Sequence, residues 1–203
     1  MNIGVLGLQG DIEEHISALK IAMDKLNIKG KIIWVKKPKG LENLSGLIIP
    51  GGESTTIGSL MKHNELLEHI RNKIETENLA IWGTCAGLII MAKKTYDRTV
   101  GETTQPLLGI IDMVVERNTY GRQKDSFEVD LNIPVIGSKP FKGVFIRAPS
   151  IKEVDSSVEI LATLDNKPVA IKQGIHMGTT FHPELTNDTR LHEYFLANIK
   201  SSF

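Results

Sequence analysis

A single cysteine stands in the 203 residues, so no internal disulfide can form, and this fits a reducing, cytoplasmic setting. Excess charge of either sign is missing too: 24 Lys and Arg balance 24 Asp and Glu, leaving a net charge of zero. Nucleic-acid binding ordinarily leaves a basic imprint, and none is present. No stretch approaches the ~20 apolar residues of a membrane span. The opening "MNIGVLGLQGDIEEH" lacks the basic start of a signal peptide and reads as a first strand. Prolines number only eight, and 41% of the residues are apolar, so disorder is not suggested. A chain this long hides roughly 70% of its unfolded surface, enough for a real core.

What is present alternates. "NIGVLGL" (2–8) is short, continuous and apolar, as a strand buried on both faces should be. Asp11 and Glu14 resemble a capping box, and Ile12, Ile16, Leu19, Met23 and Leu26 then recur at helical spacing. "KIIWVK" (31–36), "GLIIP" (46–50) and "LAIWG" (79–83) are further buried strands, with helical patterning over 55–77 and again over 86–94. Strands alternating with helices over short loops predict a three-layer α/β fold, a mostly parallel sheet covered on both faces. The second half reads differently. Segments 109–118, 127–132, 143–149, 158–165, 167–174 and 175–183 look like strands with little helix between them. Some must therefore pair antiparallel; "LDNKPVAI" and "KQGIHMG" look like hairpins, and a last helix covers about 187–201. With no repeat or evident linker, residues 1–203 read as one domain.

The lone cysteine sits in "IWGTCAGLII" (81–90), where a strand gives way to a helix. In open parallel sheets ligands gather at the carboxyl ends of strands. The spacing Gly83-x-Cys85-x-Gly87 copies the G-x-S-x-G nucleophile elbow with sulfur in place of oxygen. A helix N-terminus behind the residue favours the thiolate, and its free N–H groups, Ala86 among them, can face an oxyanion. The plainer alternative is a small hydrophobe in a core, the usual fate of free cysteine.

A thiol nucleophile needs a base, and the base an orienting group. Of six histidines, His63, His69 and His192 lie in polar helical contexts that suit solvated positions. His182, in "TTFHPELT", follows a strand, and Glu184 stands two residues on across the rigid Pro183. The alternative there is an ordinary acidic turn into the last helix. In "IIPGGES" (48–54), two glycines follow a strand directly, either a tight turn or a loop whose backbone approaches a ligand. Each signal is ambiguous singly; together, at three strand ends, they converge on one site.

"PGGES", "GTCAGL" and "FHPE", in this order, resemble the triad-type (class I) glutamine amidotransferases, a flavodoxin-like α/β group. Adding "GVLGLQGDIEEH" (4–15), "ERNTYGRQ" (116–123) and "FIRAP" (145–149), the chain is similar to the glutaminase subunits of pyridoxal 5'-phosphate synthase. The likeness runs from residue 4 to the last helix. Its one small departure is Gly7, where alanine is more usual. The resemblance implies hydrolysis of L-glutamine, with Cys85 as nucleophile, His182 as acid/base and Glu184 as its orienting partner. It implies an oxyanion hole from the Gly52 and Ala86 amides, and substrate contacts from Gly52, Glu53, Ser54, Arg117, Ile146 and Arg147. An arginine suits the substrate carboxylate and an acid its ammonium. Gln9, Gly10 and His15 match an N-terminal motif that lies near the partner surface in the family. The partner it implies is a (β/α)8-barrel synthase subunit in a large hetero-oligomer, receiving ammonia for vitamin B6 synthesis. No metal or cofactor is expected, since pyridoxal phosphate is the product. Rival readings are the glutaminase serving imidazole glycerol phosphate synthase, a non-catalytic binding module, and a thiol peptidase.

Overall fold

Four short apolar runs lie parallel in the main sheet of a computed structural model of the protein, which describes residues 1–97, 101–117 and 126–201. They are β1 (Ile3–Leu6), β2 (Ile32–Val35), β3 (Gly46–Ile49) and β4 (Ala80–Thr84). A late strand, β13 (His176–Thr179), joins parallel to β4, and β12 (Lys167–Gln173) and β11 (Glu159–Leu164) extend the sheet antiparallel beyond it. The order is β11-β12-β13-β4-β3-β1-β2. This is the sheet the alternating first half predicts, with the two hairpins added at one edge. The β11–β12 turn places Asp165 and Asn166 at φ 49° and 60°, the left-handed pair of a tight hairpin.

Strand side chains alternate between faces, and each face meets its own helices. Leu47, Ile49 and Ile81 pack on one side with α2 (Ser54–His63), α3 (Leu66–Glu77) and α4 (Ala86–Met91). Ile3, Val5, Ile48 and Trp82 pack on the other with α1 (Ile12–Lys25) and α5 (Arg190–Ser201). A second sheet is formed by β5 (Ala92–Asp97), β6 (Gly101–Glu102), β7 (Ile111–Arg117) and β10 (Ser150–Val154), in the order β10-β7-β5-β6. The remaining hairpin, β8 (Ser126–Leu131) with β9 (Phe141–Ile146), stacks Phe127 on Phe145 at 4.8 Å.

Several expectations are corrected. The helical pattern over 86–94 stops at Met91, because the Ile90 and Met91 carbonyls accept from Leu108 and Ile110 and the chain turns into β5. Strand β10 carries no alternation strong enough to read. Helical residues 55–77 divide into α2 and α3 at Glu65, whose φ of 60° no α-helix accommodates. Asp11 makes no capping bond to α1, so the capping box does not form. His192 is fully buried on α5, and His15 is fully buried on α1. His63 and His69 are exposed as expected. The departure at Gly7 has a local cause: a Cβ there would collide with the indole of Trp34.

Candidate active site

Cys85 occupies the single residue between β4 and α4, at φ 49° and ψ −106°. Few residues other than glycine adopt that conformation, and its N–H is fixed by the Thr179 carbonyl of the neighbouring strand at 2.9 Å. The flanking glycines are steric necessities. A Cβ on Gly83 would collide with the carbonyl group of Gly87, and one on Gly87 with the carbonyl oxygen of Ile49. The elbow turns that tightly only because strand, helix and the adjacent strand meet without side chains between them. Cys85 is 7% exposed, with its sulfur 3.8 Å from the Ile146 carbonyl.

Because β13 runs beside β4, the residues that follow it arrive next to the elbow. His182 donates its backbone N–H to Val144 at 2.8 Å, and Pro183–Leu185 form one short 3-10 turn. That turn brings Glu184 Oε1 to 2.8 Å from His182 Nδ1. His182 also lines the cleft together with Cys85, which is among the groups that favour charge on its ring. Thiol, imidazole and carboxylate are thus gathered at one place.

A second carboxylate joins them: Asp11 Oδ2 lies 3.2 Å from the same Nδ1. The contact explains the missing helix cap, since the side chain is turned to the ring. Burial opposes charge on the imidazole, but the acceptors Asp11, Cys85 and Glu184 outweigh it and push His182 up to about 12. Burial also raises Glu184 above the usual carboxylate range, against the pull of His182. Asp11, His182 and Glu184 bring ligand-type atoms within 4.8 Å of one another. Both acids address one ring nitrogen, the geometry of a shared proton rather than of three ligands around an ion.

The cleft above Cys85 holds about 310 Å³. Gly52, Glu53, Ser54, Cys85, Ala86, Arg117, Ile146, Arg147 and His182 all line it, with Gly10, Asp11, Ile89 and Pro149. Of the residues expected from the sequence, only Glu184 lies off the wall, buried behind His182. Gly52 takes φ 143°, a left-handed position suited to glycine. A Cβ on Gly51 would collide with His182 Cε1, so the glycine loop lies directly against the imidazole. Glu53 caps α2, accepting from the Thr55 and Thr56 amides at 3.0 and 2.6 Å. Arg117 reaches Thr55 Oγ1 at 2.6 Å and Glu53 and Asp97 at 3.4 and 3.5 Å, which fixes its guanidinium at the cleft instead of in solvent. Arg147, exposed at the end of β9, has φ 44°. Gln9 accepts from the Glu53 amide at 3.0 Å. Residues 118–123 of the "RNTYGRQ" segment lie outside the described residues.

Sequence reasoning missed two participants. Gln105 Oε1 accepts from Ser54 and from Arg117, joining two walls of the cleft across a loop that no pattern marks. Asp11 was visible only as a helix-start signal, and its convergence on His182 depends on the packing of α1.

A fold of this kind with Cys85, His182 and Glu184 together at its strand ends points to the glutamine amidotransferase class. A solved glutamine amidotransferase is 45% identical to the chain, covers 98% of both, and superposes with a TM-score of 0.83. The fold alone is shared with a glutamine amidotransferase of Thermotoga maritima, 14% identical at a TM-score of 0.58 over all of this chain and 85% of that one. Residues 5–201 match the SNO glutamine amidotransferase family, and the chain belongs to it. Two relatives are the pyridoxal 5'-phosphate synthase subunits PdxT of Pyrococcus furiosus, 50% identical over 98% of this chain and 99% of that one, and of Staphylothermus marinus, 46% identical over 98% of each. Among the described residues no helix is long and apolar enough to cross a membrane.

Proposed function

We propose that this chain, as one glutamine amidotransferase domain working in the cytoplasm, hydrolyses L-glutamine to L-glutamate and ammonia. The ammonia passes to a pyridoxal 5'-phosphate synthase partner. The observation that carries the reading is the hydrogen-bonded Glu184–His182 pair beside Cys85, in a cleft whose wall holds both a cation, Arg117, and an acid, Glu53. Glutamine presents the matching ends, a carboxylate and an ammonium, with an amide one short chain away.

The imidazolium at His182 pairs with the Cys85 thiolate, which attacks the δ-carbonyl of glutamine. The amides of Gly52 and Ala86 hold the oxyanion. As the intermediate collapses, the C–N bond breaks and His182 delivers its proton to the leaving nitrogen, releasing ammonia and leaving a γ-glutamyl thioester. Neutral His182 then takes a proton from water, whose oxygen attacks the thioester, and collapse returns glutamate and the thiolate. Glu184 keeps Nδ1 protonated throughout, so the other nitrogen does the transfer. Arg117, Ser54 and the Ile146–Arg147 segment hold the α-substituents of the substrate at the far end of the cleft. Ammonia is lost readily to protonation, so a waiting acceptor makes the hydrolysis useful; a (β/α)8-barrel synthase subunit in a large hetero-oligomer fills that role.

The test is glutamate release from glutamine by the chain mixed with such a barrel subunit. Cys85→Ala abolishes glutamine-dependent synthesis and leaves synthesis from an added ammonium salt intact. Loss of both activities, or hydrolysis undiminished by the substitution, would overturn the reading.

A further inference from the structure

Behind the triad the structure contains a buried polar path that the hydrolytic mechanism leaves unused. Glu184 Oε1 is engaged by His182, but Oε2 points into the protein and has no close hydrogen-bond partner among the described residues. Nε2 of His15 lies 3.4 Å from it, and the same nitrogen lies 3.2 Å from Thr84 Oγ1. His15 Nδ1 in turn sits 3.2 Å from His192 Nε2 on α5. Both imidazoles are fully buried against Trp82, at ring distances of 5.9 and 4.8 Å. This apolar floor favours their neutral forms, and burial depresses both, His192 to about 3.

Neutral imidazoles carry one N–H each, and the surroundings decide where. With the proton of His15 on Nδ1, its Nε2 lone pair would face the Glu184 carboxylate. His192 would then hold its own proton on Nδ1, a buried position with no partner among the described residues. With the proton on Nε2, His15 donates toward Glu184 Oε2 and Thr84, and its Nδ1 accepts from His192 Nε2–H. That arrangement leaves only an acceptor at His192 Nδ1 unpaired, which costs far less than an orphaned N–H.

We infer that His15 is a positioning residue for this site: its Nε2–H is shared between Glu184 Oε2 and Thr84, tying the orienting carboxylate to the residue that precedes Cys85. The inference rests on the glutaminase reading above. A carboxylate held at both oxygens has one orientation toward His182, and held at one it can swing about that bond. Through His192 the same path reaches α5, so two helices on the far face of the sheet set the angle of the imidazole. The role resembles that of the outer partners that orient metal-ligating histidines, whose loss typically costs about 10–100-fold.

Three substitutions separate positioning from mere packing. His15→Gln places an amide N–H close to the lost Nε2, His15→Asn places one close to Nδ1 only, and His15→Leu supplies neither. In the mixture with a pyridoxal 5'-phosphate synthase barrel subunit, Leu and Asn are expected to lower kcat for glutamine hydrolysis by about 10–100-fold with little change in KM, and Gln to restore most of it. Asn and Gln variants of equal activity, or a loss confined to KM, would overturn the inference. Thermal unfolding of each variant identifies any that fails to fold. The ¹⁵N shifts of His15 in the unmodified chain give an answer independent of folding and of activity: a proton on Nε2 supports the assignment and one on Nδ1 refutes it. Failure of the unmodified chain to hydrolyse glutamine while Nε2 carries the proton would instead count against the glutaminase reading.

Discussion

Replacing Cys85 by glycine should make the protein more stable than replacing it by alanine, the reverse of the ordinary order. At most positions glycine is worse than alanine by about 0.5–1 kcal/mol, because the unfolded glycine chain has more freedom to lose. Cys85 sits at φ 49°, ψ −106°, a conformation whose strain for a residue bearing a Cβ is on the order of 1–3 kcal/mol. Alanine keeps that strain and glycine removes it. Both variants lose the same sulfur with its long 3.8 Å contact to the Ile146 carbonyl, and both keep the 2.9 Å bond from the residue 85 amide to Thr179. The difference between them therefore isolates the backbone. Setting relief of strain against the entropy of glycine leaves an advantage for Cys85→Gly of about 1 kcal/mol, or about 2–4 °C in Tm for a chain of this size. Urea and thermal unfolding of the two variants measure it. A Cys85→Ala protein as stable as Cys85→Gly, or more so, would show that the elbow is relaxed and that its unusual angles store nothing.

Acid should destabilise the fold through its buried histidines. Unfolded histidine takes up a proton near pH 6.5, whereas folded His192 resists until about 3, so between those values the unfolded state binds more protons and stability falls as pH falls. Each such residue contributes at most about 1.4 kcal/mol per pH unit, and His192→Leu should flatten the dependence by that amount in urea titrations; an unchanged slope would refute the assignment. His182 acts in the opposite sense: its folded value near 12 gives stability that is complete below 6.5 and lost as pH rises. Asp11→Asn removes one of the two carboxylates on Nδ1 and should lower the titration midpoint of the His182 imidazolium, read by NMR; no movement would mean that Glu184 alone sets it.

Much of the site was legible from local pattern. Gly83 and Gly87 frame Cys85 in a turn that needs glycine on both sides, and the structure gives the reason: a Cβ on either would overlap backbone. His182 and Glu184 were readable because Pro183 stiffens the two-residue interval, so spacing in sequence translates into spacing in space. The helix over 86–94 misled because Ala92, Lys93 and Lys94 favour helix, and only pairing with β7 overrode that preference. His192 misled because Arg190 and Glu193 flank it closely, although it shares the buried stripe of Leu191, Phe195, Leu196 and Ile199 and packs against Trp82.

The sequence by itself determined the parallel core, since β1, β3 and β4 are apolar throughout and can be satisfied only between two layers. It also determined the elbow and the histidine–glutamate turn, because glycine and proline act on their immediate neighbours. Only the tertiary structure decided what meets these parts. That Asp11 turns to His182 instead of capping α1, that Gln105 joins Ser54 to Arg117, and that His15 and His192 stand behind Glu184 all depend on contacts between segments far apart in the chain. Spacing along one segment cannot encode such meetings. They exist because the sheet order places β13 beside β4, and the helices packed on its two faces carry their side chains to the same point.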